Sequence, residues 1–141
     1  MKRNNVLIDS SFLYALYQKD DRQHQSALAV TSIPAVQFII PIVVLPETAF
    51  LFNRNGGLPA VTGFLDALIL SNPLLQDVTI ADLSRAREIM TIYADARVLD
   101  FVDCCIVALA ERLNVVTVCT FDRRDFSILR LKNGNALEIL P

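Results

Sequence analysis

Histidine is almost missing from this chain. His24 is the only one in 141 residues, and it sits in a polar stretch read as the exposed start of a helix. There are three cysteines, Cys104, Cys105 and Cys119, with no C-x-x-C spacing. A zinc site of the usual Cys/His kind is therefore excluded. An odd count with an adjacent pair also makes a poor disulfide framework, so all three are read as small buried apolar residues. A long apolar run is lacking too: the strongest, Phe38 to Phe52, is interrupted by Pro41, Pro46 and Glu47 and is too short to span a bilayer. The basic start, Met1 to Asn5, is followed only by Val6-Leu7-Ile8 before Asp9, which is not a secretory signal. The chain reads as cytoplasmic, with no membrane partner. Nor is there an excess of positive charge. The net charge is −2, so no global basic field points to nucleic acid. Local groups, Arg85 with Arg87 and Arg123-Arg124 with Arg130 and Lys132, read as solvated faces able to contact phosphates.

What is present is apolar. Hydrophobic residues make up 53% of the chain, enough for a buried core. No repeat, low-complexity tract or linker divides it, so residues 1–141 read as one domain. Val6-Leu7-Ile8 reads as a short buried strand. Ser10 or Ser11 is expected to cap a helix that carries Phe12, Leu13, Leu16 and Tyr17 on one face. A second helix is expected over Gln23 to Ser32, burying Ala27, Leu28 and Val30. Phe38-Ile39-Ile40 is a second strand, closed by Pro41. Pro46 suits the first turn of a third helix, which stops at Asn55-Gly56-Gly57. Pro59 starts another through Leu70. Further elements follow: a strand over Leu74 to Val78, a helix from Thr79 or Asp82 to Tyr93, an irregular stretch from Ala94 to Leu99, a helix over Phe101 to Leu113, and strands over Val115 to Cys119 and Leu137 to Leu140. Strands alternating with helices predict a parallel sheet with helices on both faces.

Four acids fall where strands end or helices begin: Asp9 after Val6-Leu7-Ile8, Glu47 after Pro46, Asp103 in Phe101-Val102-Asp103, and Asp122 after Thr120-Phe121. Each has a local structural competitor. Asp9 and Asp122 are acceptable caps, Glu47 suits a helix N-terminus, and Asp100 with Asp103 matches a capping box. Taken together, they place four carboxylates at the end of one sheet where ligands bind in open α/β folds. Like charges gathered in a cleft raise one another's pKa. A Mg²⁺ or Mn²⁺ ion, held by one or two carboxylates and several waters, relieves this. The chemistry that follows is metal-assisted phosphodiester hydrolysis, with a carboxylate or metal-bound hydroxide as general base.

The motifs Ile8-Asp9-Ser10-Ser11, Pro46-Glu47-Thr48-Ala49, Asp100 through Leu113, and Thr120-Phe121-Asp122-Arg123-Arg124-Asp125-Phe126, in this order, resemble the PIN domain, and within it the VapC-type toxins. The resemblance runs from Val6 to Leu140. It implies a three-layer α/β/α sandwich with a mainly parallel sheet and a Mg²⁺- or Mn²⁺-dependent endoribonuclease. Asp9, Glu47, Asp103 and Asp122 fall on its four acidic positions, with Asp9, Asp103 and Asp122 as metal ligands. Ser11 and Thr120 fall on its hydroxyl positions; Asp100 and Asp125 are secondary candidates. Cys104-Cys105 departs from the small residues usual there. The resemblance also implies an RNA substrate, a homodimer, and a cognate antitoxin covering the helices around Phe12 to Tyr17 and Thr48 to Arg54. Two alternatives are a catalytically idle PIN-like module that binds RNA or protein, and a phosphotransfer domain of response-regulator type. The second normally pairs acids early and adds a late lysine, whereas here Asp9 stands alone until Asp20.

Overall fold

The computed structural model describes residues 4–96 and 99–141. Positions 1–3, in the basic start, and 97–98, in the irregular stretch, lie outside the described residues. The elements run β1 (Asn4–Ile8), α1 (Ser10–Tyr17), α2 (His24–Thr31), β2 (Val36–Pro41), a 3-10 turn (Ile42–Val44), α3 (Leu45–Leu70), β3 (Leu74–Gln76), α4 (Ile80–Ile92), α5 (Phe101–Leu113), β4 (Thr117–Cys119), α6 (Arg123–Ile128) and β5 (Glu138–Leu140). The five strands form one sheet in the order β3-β2-β1-β4-β5. Every pairing is parallel, with Val6 opposite Phe38 and Leu7 opposite Val118. The expected parallel α/β/α architecture is borne out. Helices α1, α2 and α3 pack together, and α4 packs on α5.

The core follows the sequence pattern. Val6, Leu7 and Ile8 are buried, as are Phe12 and Leu13 of α1. Helix α5 is buried without a break from Asp103 to Ala110, as expected of a helix that is apolar all round. All three cysteines are buried within it or at the end of β4. Burial pushes the Cys104 and Cys105 thiols up to about 11 and Cys119 up to about 12, so they remain protonated packing groups.

Several expectations need correction. Asp9, not Ser10 or Ser11, caps α1: its carboxylate accepts from the Ser10 N–H. His24 is half-buried, its Nδ1 2.7 Å from the Ala15 carbonyl oxygen, tying α2 to α1. Leu28 is exposed. The fourth strand starts at Thr117 because α5 ends in a left-handed Asn114 (φ 54) and Val115 N–H donates back to Ala110 O. That Schellman arrangement consumes Val115. The third strand stops at Gln76. Beyond it the Arg112 guanidinium holds the Asp77 carbonyl, and Thr79 and Asp82 form a reciprocal capping box for α4. Asp82 is buried, which alone would raise its pKa. Hydrogen bonds from Arg112 and Thr79 outweigh burial and hold the carboxyl below its ordinary value. Arg85 is not on a solvated face either: its guanidinium pairs with Glu111 at 2.7 Å.

Helix α3 breaks at Gly57 (φ 68, ψ −168), as Asn55-Gly56-Gly57 suggested. A straight helix would set residues 52 and 64 about 18 Å apart along its axis. Instead the Phe52 and Phe64 rings stack with centroids 4.8 Å apart, Tyr14 meets Phe52 and Tyr17 meets Phe64. The break therefore folds both halves of α3 onto α1. Gly57 occupies a backbone region open essentially to glycine alone. We expect Gly57→Ala to cost about 1–3 kcal/mol, measured by urea denaturation; unchanged stability would show that the bend tolerates a side chain.

Candidate active site

The chain moves from β1 outward to β2 and β3, then crosses back to β4 on the other side of β1. The reversal opens a crevice between the carboxyl ends of β1 and β4, the position at which open α/β sheets bind ligands. Asp9 is the first residue after β1 and Thr120 the first after β4. Asp9 N–H donates to Cys119 O at 2.9 Å, locking the two strand ends together.

The Asp9 carboxylate is only 2% exposed. Its Oδ1 accepts from Ser10 N–H at 2.8 Å. Its Oδ2 accepts from the Thr120 hydroxyl at 2.8 Å. Thr120 Oγ1 in turn accepts from Asp122 N–H at 3.0 Å. A threonine hydroxyl has one proton. With that proton on Asp9, Ser11 is the donor in its 3.2 Å contact with Thr120 Oγ1. Ser11 Oγ itself accepts from Phe121 N–H at 3.0 Å. Ser11 and Thr120 are thus positioning residues that fix Asp9 and the loop after β4.

Asp103 is 6% exposed, on the first turn of α5. The capping box is real: Asp103 Oδ2 accepts from Asp100 N–H at 3.3 Å and Asp100 Oδ1 from Asp103 N–H at 2.9 Å. Oδ1 of Asp103 has no hydrogen-bond partner among the described residues. Cap and site are therefore compatible, one oxygen for each. Asp122 holds the cap position of α6, but its side chain caps nothing and is exposed. Glu47 is exposed on the first turn of α3.

Of the four expected acids, Asp122 and Glu47 act by charge on Asp9, and Asp9 acts on Asp103. Burial raises the Asp9 pKa to about 6, opposed by the Thr120 and Ser10 hydrogen bonds and reinforced by the charges of Asp122 and Glu47. Burial pushes Asp103 up to about 8, reinforced by Asp100, Asp9 and Asp125. Asp125 is raised by burial, Asp122 and Asp100, with Arg124 opposing. Asp125 joins the cluster more closely than its sequence reading suggested; the signal was its three-residue spacing from Asp122. Among the described residues the ion pairs are Arg85–Glu88, Arg85–Glu111 and Arg112–Asp82, so none of these acids has a basic partner there. A cavity of about 500 Å³ lies elsewhere, between α1 and the β2–β3 edge, and none of the four acids lines it.

Among the described residues, no three His, Cys, Asp or Glu side chains stand together so as to hold a metal ion between them. The donor set is nonetheless all carboxylate and hydroxyl oxygen. That suits Mg²⁺ or Mn²⁺, which retain waters and need only one or two carboxylates from the protein.

Residues 6–131 match the PIN domain, and the chain belongs to the PIN domain family. It is similar to ribonuclease VapC26 of Mycobacterium tuberculosis, 28% identical over 136 residues, covering 96% of this chain and all of the relative. It is also similar to the crystal structure of M. tuberculosis VapC20, a sarcin–ricin loop cleaving toxin, with a TM-score of 0.77 and 26% identity over 96% of this chain and 99% of that one. The fold is shared with VapBC2 from Rickettsia felis, solved with a fragment of promoter DNA, at a TM-score of 0.69 and 17% identity over 96% of each chain. The family expected from the motifs is borne out.

Two predictions follow from the geometry. Folded-state pKa values above the ordinary range mean that the folded protein binds protons more tightly than the unfolded chain. The stabilisation is complete below the ordinary carboxylate pKa and is lost as pH rises through about 6 for Asp9 and about 8 for Asp103. In chelator, the thermal midpoint should fall by several degrees between about pH 5 and about pH 9; a rise over that range contradicts the cluster. Thr120→Val removes the donor to Asp9 and should cost about 1–3 kcal/mol in chemical denaturation, whereas Thr120→Ser should retain most of the stability.

Proposed function

We propose that this chain, as a single nuclease domain over residues 1–141, is a divalent-metal-dependent endoribonuclease and the toxin of a toxin–antitoxin pair, acting in the cytoplasm. The observation that carries this reading is a buried Asp9 on which the charges of Asp122 and Glu47 act and which acts in turn on Asp103, with no ion pair to any of the four among the described residues. Membership of the PIN family and likeness to a ribonuclease over its whole length support it. That membership sets aside the phosphotransfer alternative. Retention of all four acids speaks against the idle module.

Asp9, Asp103 and Asp122 would hold Mg²⁺ or Mn²⁺, which when bound supplies an activated water and charge neutralisation at the phosphate oxygens. Thr120 and Ser10 hold the Asp9 carboxylate in one orientation, so no reorganisation is needed during the reaction. The Asp100 cap fixes Asp103 through Oδ2 and leaves Oδ1 free for a ligand. Glu47, free of hydrogen bonds to described residues and exposed, would be the carboxylate that accepts a proton from the attacking water.

The partner reading needs one correction. Of the apolar residues expected on an interaction face, Phe12, Leu13 and Phe52 belong to the core; Phe50 is exposed. The larger exposed apolar group comprises Ile69 and Leu70 at the end of α3 with Leu74 and Leu75 on the edge strand β3. Clustered exposed apolar residues mark interaction sites, and this strip is where we place the antitoxin or the second copy of a homodimer. Among the described residues no helix is long and apolar enough to cross a membrane.

The test is incubation of purified protein with total RNA, with Mg²⁺ or Mn²⁺ and with EDTA. Cleavage should require the metal. Asp103→Asn should abolish cleavage and leave the metal-free protein at least as stable as the wild type, since one buried like charge is removed. Cleavage that persists in EDTA, or a fully active Asp103→Asn, contradicts the proposal.

A further inference from the structure

An acidic centre repels an anionic substrate. Metal ions neutralise the phosphate at the carboxylates, but the flanking nucleotides need their own contacts. For single-stranded RNA these are aromatic faces for bases and cations for phosphates. Among the described aromatic residues only Phe50 and Phe101 are exposed. Phe101 lies two helix positions before Asp103, about 200° round α5, so it faces away from the site. Phe121 is spent in stacking on Phe12, with centroids 5.9 Å apart. Phe50 is different. It lies one turn after Glu47 on α3 and is 61% exposed, and Glu47 is close enough to act on the Asp9 carboxyl.

The first half of α3 has two faces. Thr48, Phe52 and Asn55, at four- and three-residue spacing, look inward: Thr48 and Phe52 are buried and Asn55 Nδ2 donates to the Tyr14 hydroxyl at 2.6 Å. Glu47, Phe50 and Arg54, at three- and four-residue spacing, share the opposite, exposed face. The Arg54 side chain makes no hydrogen bond or ion pair among the described residues. The same is true of Arg22, Arg87 and Arg124, but Arg54 is the one of these that shares the exposed face of α3 with Glu47 and Phe50. Arg85, Arg112, Arg123 and Arg130 are committed to carboxylates or carbonyls. From Glu47 to Arg54 is about 10 Å along the helix axis, within reach of nucleotides next to a phosphate held at the acids.

We propose that Phe50 and Arg54 form the single-stranded RNA grip of this site, Phe50 stacking on a base beside the cleaved phosphate and Arg54 pairing with a neighbouring phosphate. The proposal rests on the ribonuclease reading and names its substrate-binding residues. A phenylalanine face accepts any base, so this grip adds affinity and holds the strand in register, leaving sequence choice to other contacts.

The test uses a fluorescein-labelled single-stranded RNA oligonucleotide of mixed sequence, titrated by anisotropy in Mg²⁺ against Asp103→Asn protein, which should bind without cutting. Adding Phe50→Leu should weaken binding about fivefold or more, and Phe50→Tyr should restore it, because stacking and not bulk apolarity is the contact. Adding Arg54→Gln should reduce the slope of log affinity against log salt by about 0.7, one single-strand phosphate. In the wild-type background both changes should raise KM with little change in kcat. Both residues are exposed, so thermal midpoints should not move. Phe50→Leu and Arg54→Gln proteins that bind RNA like their parent overturn the proposal. If they bind in that way, and the same changes in the wild-type background let growth arrest escape a co-expressed antitoxin, the face belongs to the protein partner. Failure of the wild type to cleave and of the Asp103→Asn parent to bind RNA would strike the ribonuclease reading itself, a separate result.

Discussion

The buried carboxylate of Asp9 is the constraint around which this molecule is organised. It stands at the end of the central strand, where β1 and β4 part, and four hydrogen bonds are arranged about it. Its own N–H bridges to β4, its Oδ1 caps α1, its Oδ2 receives Thr120, and Thr120 orders the chain into α6. A buried carboxylate is costly unless hydrogen-bonded, and here the bonds that lower the cost are those that close the two halves of the sheet. Fold and site therefore share the same contacts. The side chain proposed to hold the metal is also a joint of the architecture.

The second buried acid sharpens the point. Asp103 lies at the start of α5, the most deeply packed helix, and repulsion from Asp9, Asp100 and Asp125 adds to its burial. A helix N-terminus favours negative charge, and the cap with Asp100 uses it. That contribution is smaller than the opposing effects, which is why the carboxyl still rises to about 8. Elsewhere the same chain pairs its buried acid. Asp82 meets Arg112 at 2.9 Å and falls below its ordinary value. The contrast is between a buried carboxylate with a basic partner, Asp82, and one with none among the described residues, Asp103.

Much of this was legible in the sequence. The apolar triplet before Asp9, the Pro46 start, the Asn55-Gly56-Gly57 break and the all-apolar α5 each have a local physical cause, and each appears where that cause puts it. The four acids were legible as a group because strand ends and helix starts in a parallel sheet share one edge. Tertiary effects were not legible. Nothing local says that Val115 completes a helix cap before β4 begins, or that Arg85 and Arg112 each meet an acid 26 and 30 residues away. Exposure was the weakest inference. Phe12, Phe50 and Phe52 look equivalent in sequence, yet two are core and one is surface: Phe52 turns toward Tyr14 and Phe64, whereas Phe50, two positions earlier and about 200° round α3, faces out. Asp9 as the cap of α1 was one reading open in the sequence beside its serine neighbours, and Ser11 does not take that role because the distant β4 loop draws it toward Phe121 and Thr120.

The central claim is that these carboxylates are gathered to hold a divalent cation, and that the cation replaces protons which burial has placed there. Metal binding to protonated ligands releases those protons. The direct measurement is calorimetric titration of the metal-free protein with Mn²⁺ at pH 7 in two buffers of different ionisation enthalpy. The account predicts binding with net release of about one proton per ion, chiefly from Asp103. Binding without proton release, or no binding at all, would contradict it.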